Sequence, residues 1–249
     1  MKEILIVYGL LAESGVLIGS TADVLSIGLD KATIRRRRVI GDGQLADRQE
    51  PLIPGSTLKG KTRNQCERIL ASLGWVVCHA PRADTMCPHD AEVNRHYPLC
   101  PVCQLFGGPS QQSRLFFSDA VAKTKQHDTS LVEVDVEATR FLTRVQTGVA
   151  ISRELRAAED DRLYFVERGV EGVVYRGEVA GYLDEEMLSR QLALLVGSLE
   201  SLIAIGGSKS RGAGWTSFEL ITATIDEEPI PTEQWLKLRA EGLQVWRKS

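Results

Sequence analysis

The sequence predicts an α+β fold with the element order βαββαβ. Three observations carry this: two segments repeat apolar residues at helical spacing, four others are β-rich or alternate apolar with polar residues, and the two kinds interleave in that order. With 249 residues, 43% of them hydrophobic, the chain can bury a sizeable core as an ordinary globular protein.

Residues 3–11 are apolar and β-rich and predict the first strand, which the run GVLIG at 15–19 continues past Gly15. Residues 20–49 are polar and charged, hold Arg35 to Arg38, and read as a long excursion from the core. A turn at Pro54 and Gly55 opens the first helix, with Ser56 or Thr57 as its cap. Cys66, Ile69, Leu70 and Leu73 give that helix one apolar face. Residues 75–103 are rich in Cys, His and Pro and show no period. The stretch 114–120 (RLFFSDA) reads as a short strand, and Val132, Val134 and Val136 alternate with acids as a half-buried one. Residues 139–161 are charged and irregular. Alternation returns over 163–182, where Gly169 and Gly172 suggest a hairpin turn. Asp184 can cap the second helix, whose apolar stripe is Leu188, Leu192, Leu195, Leu199 and Leu202. A glycine-rich loop at 206–214 leads to a last strand at 215–225, and a short helix follows Pro231. This is the split βαβ order of a ferredoxin-like (RRM-like) core. We expect one domain over 1–249 with insertions at 20–52, 75–105 and 120–162; long irregular segments in a compact domain usually carry function.

Thirty basic residues against 33 acidic ones give a formal charge of −3. That argues against a non-specific nucleic-acid coat. Local basic grooves remain compatible with it, because fields between charges reach only about 8–10 Å in physiological salt. The first residues, MKEILIVYGLLAESG, are too short and too acidic for a signal peptide. No stretch reaches the ~20 apolar residues that span a bilayer. The expectation is a cytoplasmic protein without a membrane partner, in which cysteines serve as metal ligands or free thiols.

Cys78, Cys87, Cys100 and Cys103 fall within one polar insertion, the last two as a C-x-x-C knuckle. They predict a structural zinc site, since zinc takes four thiolate or imidazole ligands. His79, His89 and His96 are rival ligands, His89 the first substitute. Cys66 lies on the apolar helix face and belongs to the core. In the glycine-rich loop, Lys209 and Arg211 add positive charge to backbone N–H groups able to meet phosphate; its plainer reading is a helix C-cap and turn. Lys59, Lys61 and Arg63 put cations in the first turns of a helix, against its dipole. An anionic partner resolves that conflict, and a solvated basic face is the alternative.

IPGSTLKGKTR and GGSKSRGAGW together resemble two signatures of RAMP-superfamily backbone subunits: the start of the first helix, and the glycine-rich loop before the last strand. LFGG at 105–108 with RLFFSDA resembles the family's central strand, and VAISRELRAAEDDRLYFVE at 149–167 resembles its thumb hairpin. The resemblance implies a subunit of a type III CRISPR effector complex, stacked in several copies along a guide RNA beside other subunits. Lys59, Lys61, Arg63, Lys209, Arg211 and Arg153 would then contact RNA, with the thumb wedging bases apart through residues such as Val149 and Ile151. A Cys-rich insertion before the LFG element supports zinc. Family members that cut target RNA use an aspartate in the loop after the first strand. SIGLDKATIR at 26–35 is similar to that loop and puts Asp30 in the matching position, with Asp23 as rival. Cleavage by a 2′-OH would then use Mg²⁺ or another divalent cation held by the carboxylate. The Arg35–Arg38 run can grip RNA in part only, because its side chains cannot all face one way; the rest would be solvated or paired with acids of a neighbouring copy. The expected function is therefore a guide-RNA-binding subunit that also acts as a metal-dependent endoribonuclease on target RNA. Its alternatives are a non-catalytic or capping subunit, or an endoribonuclease that processes precursor CRISPR RNA. The Cys-rich insertion and single core argue against the last, whose members often use histidine chemistry on a doubled core. A zinc-binding structural protein with no RNA role is the unrelated alternative.

Overall fold

The computed structural model describes residues 1–19, 28–40, 44–96, 98–123 and 142–246. Its strands are β1 (Lys2–Ala12), β2 (Arg35–Ile40), β3 (Gln44–Ile53), β4 (Leu115–Phe117), β5 (Ala120–Lys123), β6 (Thr143–Ile151), β7 (Ala158–Gly169), β8 (Val174–Leu183), β9 (Thr216–Ile225) and β10 (Glu228–Pro229). Its helices are α1 (Gly55–Ser72), α2 (Ala91–Asn94), α3 (Pro101–Phe106), α4 (Leu188–Glu200) and α5 (Thr232–Val245).

The main sheet is antiparallel throughout and runs β10-β9-β1-β8-β5-β3-β2, with β4 also on β8. Alternation along β1 decides its two faces. Ile4, Ile6, Tyr8, Leu10 and Ala12 are fully or almost fully buried, and they pack in one core with α1 residues Leu58, Cys66 and Leu70 and α4 residues Leu192, Leu195 and Leu199. The expected helix faces are therefore the observed ones. The α4 stripe extends to Leu202, and α5 closes over α4 through Trp235 and Trp246.

Several expectations change. GVLIG does not continue β1; Val16, Leu17 and Ile18 are buried, but as a connector rather than a strand. It is held on three sides: Val16 and Gly169 exchange backbone hydrogen bonds, Gly207 N–H donates to Leu17 O at 2.8 Å, and Ile34 N–H donates to Ile18 O at 3.0 Å. The excursion over 20–49 ends in paired strands β2 and β3, whose register shifts between Arg37 and Val39 and which extend the sheet. Neither Ser56 nor Thr57 caps α1. Pro54 stands at that position, and Gly55 N–H donates to Asp119 Oδ1 at 2.8 Å. Residues 163–182 are not one hairpin, because β7 pairs with β6 in a separate two-stranded sheet while β8 pairs with β1. The charged stretch expected to be irregular is, over its described part, that β6–β7 hairpin. The proposed strand at Val132 to Val136 lies outside the described residues.

The arginine run lies on β2, and its first two members find acids within this chain rather than in a neighbouring copy. Arg36 Nε lies 3.8 Å from Glu50 Oε2. Arg35 pairs with Glu167, a carboxylate whose side chain is only 9% exposed. Glu167 also accepts from Thr33 N–H at 3.0 Å and from the Thr143 hydroxyl at 2.8 Å. One carboxylate thus joins the chain ahead of β2 to the root of the β6–β7 hairpin. Removing it would leave three donors unmatched. Glu167→Ala is expected to destabilise the fold by about 2–3 kcal/mol, and Glu167→Gln by less, since its amide oxygen still accepts. Urea unfolding followed by circular dichroism measures both; equal, near-zero losses would show that the junction is held elsewhere.

Candidate metal centre and nucleic-acid interface

The cysteine-rich segment folds as short turns rather than long elements, and these deliver four sulfurs to one point. Cys100 precedes α3 and accepts from Cys103 N–H at 3.5 Å, so the C-x-x-C knuckle is the first turn of that helix. Cys78 Sγ lies 3.5 Å from Cys100 Sγ and 3.2 Å from Cys103 Sγ. Cys87 joins them, accepting from Cys100 N–H at 3.4 Å. All four are buried, and their sulfurs fall within 4.8 Å of one another. None is in a disulfide. The edge of a tetrahedron with metal–sulfur bonds of about 2.3 Å is about 3.8 Å, so the set could hold a metal ion such as zinc after small shifts of the sulfurs. His79, His89 and His96 are exposed and stand outside the cluster.

The thiols also show why a cation suits the site. Hydrogen bonds from Cys103 and Cys78 push the Cys100 thiol far down, whereas hydrogen bonding to Cys100 and Cys103, then burial, pushes Cys78 up. Burial pushes Cys87 up to about 12, and hydrogen bonding to Cys100 pushes Cys103 up to about 11. Four sulfurs this close cannot all ionise without a positive centre. Cys66, wholly buried and pushed up to about 12 by burial, is the core thiol its helix position predicts.

The expected RNA-facing cations separate into distinct places. Lys61 on α1 lies near Lys209 of the glycine-rich loop: hydrogen bonding with Lys209, then burial and charge repulsion, lowers the Lys61 pKa. Such a pair disfavours the charged form of Lys61 unless a negative charge lies nearby. The loop that carries Lys209 is shaped by close packing. A side chain at Gly214, at φ +78°, would stand 2.1 Å from Ile205 O. Lys209 to Arg211 form a single 3₁₀ turn with both cations exposed. Lys59, two residues from Lys61, faces elsewhere, at a cleft of about 420 Å³ lined by residues 106–113. Arg153 lies in the exposed turn between β6 and β7. Val149 and Ile151 on the same hairpin are 44% and 63% exposed.

Arg63 departs from its expected role. Its side chain is only 11% exposed. Its donors go inward: Nε to Glu67 at 3.1 Å, Nη1 to Gly107 O at 2.7 Å, and Nη2 to Cys103 Sγ at 3.3 Å. It faces the cysteine cluster, not a groove. The i,i+4 spacing of Arg63 and Glu67 is the signal that points to this pairing.

Asp30 is exposed and fixed at the root of the β6–β7 hairpin. Its Oδ2 accepts from Phe165 N–H at 2.6 Å, and its own N–H donates to Phe165 O at 2.9 Å. Lys31 bridges Val166 next to it. The connector 15–19 brings this loop, the hairpin root and the glycine-rich loop to one junction. Asp23 lies outside the described residues. Glu167 closes the 149–167 stretch that resembles the thumb and Thr143 lies in no motif, and nothing in the sequence marks either as an anchor of the junction.

The structure is thus an α+β chain with a mostly antiparallel sheet, a buried four-cysteine cluster that could hold a metal ion, and exposed cations on its glycine-rich loop. The chain belongs to the RAMP superfamily, whose family model matches residues 11–219. Comparison with curated proteins by sequence gave no match. Among the described residues, no helix is long and apolar enough to cross a membrane.

Proposed function

We propose that the chain is a guide-RNA-binding backbone subunit of a type III CRISPR effector complex, in the cytoplasm, that also cleaves the target RNA paired with the guide. The observation that carries this is the exposed 3₁₀ turn of the glycine-rich loop, which presents Lys209 and Arg211 to solvent with Lys61 of α1 nearby. These cations come from the two motifs that a RAMP subunit would turn to the guide, and an anion between them would offset their repulsion. We read the order β9-β1-β8-β5, with α1 and α4 on one face, as a ferredoxin-like core. The whole chain is then one domain, with the β6–β7 hairpin as its thumb. In this reading zinc sits in the cysteine cluster, and Lys59, Lys61, Lys209, Arg211 and Arg153 meet RNA. Asp30 holds a divalent cation for cleavage, and further copies of the chain and other subunits complete the assembly.

Reversing the Lys61, Lys209 and Arg211 charges to Glu is expected to weaken single-stranded RNA binding for all sequences alike. Each lost phosphate contact should flatten the plot of log affinity against log salt by roughly 0.7. Fluorescence anisotropy over a salt series measures this, and unchanged affinity and slope in the triple variant would sink the reading. A non-catalytic scaffold is the second reading. It is favoured by the Asp30–Phe165 hydrogen bond, which gives that carboxylate a structural role of its own.

A further inference from the structure

Arg63 touches the cysteine cluster, the α1 acid Glu67 and the Gly107 carbonyl with one rigid fork. Gly107 begins the turn over 106–113 that walls the cleft at Lys59. That turn is tightly built. A side chain at Gly107, at φ +80°, would meet Ser113 N at 2.6 Å, and one at Gly108 would lie 3.4 Å from Cys103 Sγ. The cleft wall therefore rests directly on the sulfur cluster. Lys59 and Arg63 are one helical turn apart on α1, and Lys59's pKa is lowered by burial and then by the Arg63 charge.

A divalent ion held by four thiolates leaves a net negative charge in a buried place, which is costly without a nearby cation. Arg63 supplies that cation. Its planar fork then has a fixed direction in which to present its remaining N–H to Gly107 O. Without the metal, nothing holds the four sulfurs at one point, and the Cys103 Sγ that the guanidinium meets is no longer fixed in place.

We infer that Arg63 is a positioning residue that ties the order of the 106–113 turn, and with it the Lys59 phosphate-binding cleft, to occupancy of the metal centre. The ligand class is the phosphodiester backbone of single-stranded RNA, so the inference rests on the function proposed above. The cysteine centre then acts on the binding surface as well as on the fold.

The test has one arm that needs no RNA. Hydrogen exchange is followed by mass spectrometry on the metal-loaded protein, well below its melting temperature, with β8 peptides as internal control. Arg63→Gln should speed exchange across 106–113 about tenfold, the loss of one charge-assisted hydrogen bond, while β8 stays protected. Arg63→Lys keeps the charge but not the fork. It should hold metal against a chromogenic chelator nearly as well as wild type, yet lose the same protection. Stripping metal from the wild-type protein should reproduce the Arg63→Gln pattern, which keeps the test decisive if that variant does not fold. The second arm uses a labelled single-stranded RNA. Arg63→Gln and Lys59→Ala should each cost about tenfold in affinity. Each should also flatten the salt slope by roughly 0.7. The two together should cost no more than either alone. Wild-type protein that binds no RNA overturns the proposed function, while the exchange arm still judges the link to the metal. A 106–113 turn that stays protected in Arg63→Gln, or in folded metal-free protein, overturns the inference, as does additive loss of RNA affinity.

Discussion

Replacing Cys100 and Cys103 together by serine is expected to remove the bound metal and to lower the melting temperature of the whole chain by about 10 °C or more. The figure follows from a loss of about 4 kcal/mol, modest beside what structural zinc can supply, and from the usual conversion for a domain of this size. From sequence, the insertion looks like a loop without a core of its own, whose loss would leave the rest intact. The structure argues otherwise. Cys78, Cys87, Cys100 and Cys103 belong to the same hydrophobic core as Leu58, Leu70 and Leu195, with Val93, Val102, Leu105 and Phe106 filling the space between. Arg63 then anchors the cluster to α1. A serine hydroxyl binds zinc poorly, and two of them leave polar groups buried where metal and thiolates belong. Calorimetry with metal analysis checks this. One broad transition shifted down is the expected trace. Two separate transitions, the upper at the wild-type temperature, would show the insertion to be an independent unit. Wild-type stability with no metal bound would remove the metal from the account altogether.

How far the sequence discloses the molecule depends on how local each signal is. The helix faces at Cys66–Leu73 and Leu188–Leu202 are legible because burial of one stripe imposes helical periodicity directly on the residues. The four cysteines are legible for a similar reason, since thiolate ligation tolerates few other side chains. Partner choice between strands is a long-range property and is not legible. Residues 163–182 carry the alternation and glycines of a hairpin, yet β7 turns to β6 while β8 turns to β1, whose Val7 stands opposite Glu178. Alternation says that a residue faces a core, not which strand lies beside it. GVLIG misleads in the same way. Its apolarity reflects burial at a junction of three segments, and no strand is needed for that. Charge is the hardest to read. Lys61 and Arg63 look alike in the sequence, but one lies near Lys209 and the other turns to Glu67, Gly107 and Cys103, because i and i+2 on a helix face in different directions.

Replacing Asp30 by asparagine is expected to abolish divalent-metal-dependent cutting of a matched target, by about a hundredfold or more, while guide binding stays equal or rises slightly. Asparagine is preferred to alanine because of what the carboxylate already holds. Asp30 Oδ2 accepts from Phe165 N–H, and the loop is pinned there by the reciprocal Asp30 N–H bond to Phe165 O. The asparagine oxygen can keep the first of these, so the loop stays in place and only the charge goes. Alanine removes both charge and anchor, and its effect would mix chemistry with displacement. If the junction faces RNA as proposed, a carboxylate there is unhelpful for binding alone, since it repels phosphate. A divalent cation reverses that local electrostatics and can stabilise the charge that develops on the phosphate as the 2′-OH attacks. The assembled complex with guide and matched target is the proper material, and product is measured in single turnover with Mg²⁺ and with chelator. Asp23→Ala, the control, should cut at nearly the wild-type rate. Glu167→Gln, which loosens the loop without touching its charge, should fall between. If Asp30→Asn cuts at the wild-type rate, the cation is held elsewhere and Asp30 is a hinge pin of the hairpin. If the wild-type complex itself does not cut, the scaffold reading stands, and the hydrogen bond to Phe165 is the whole of this carboxylate's work.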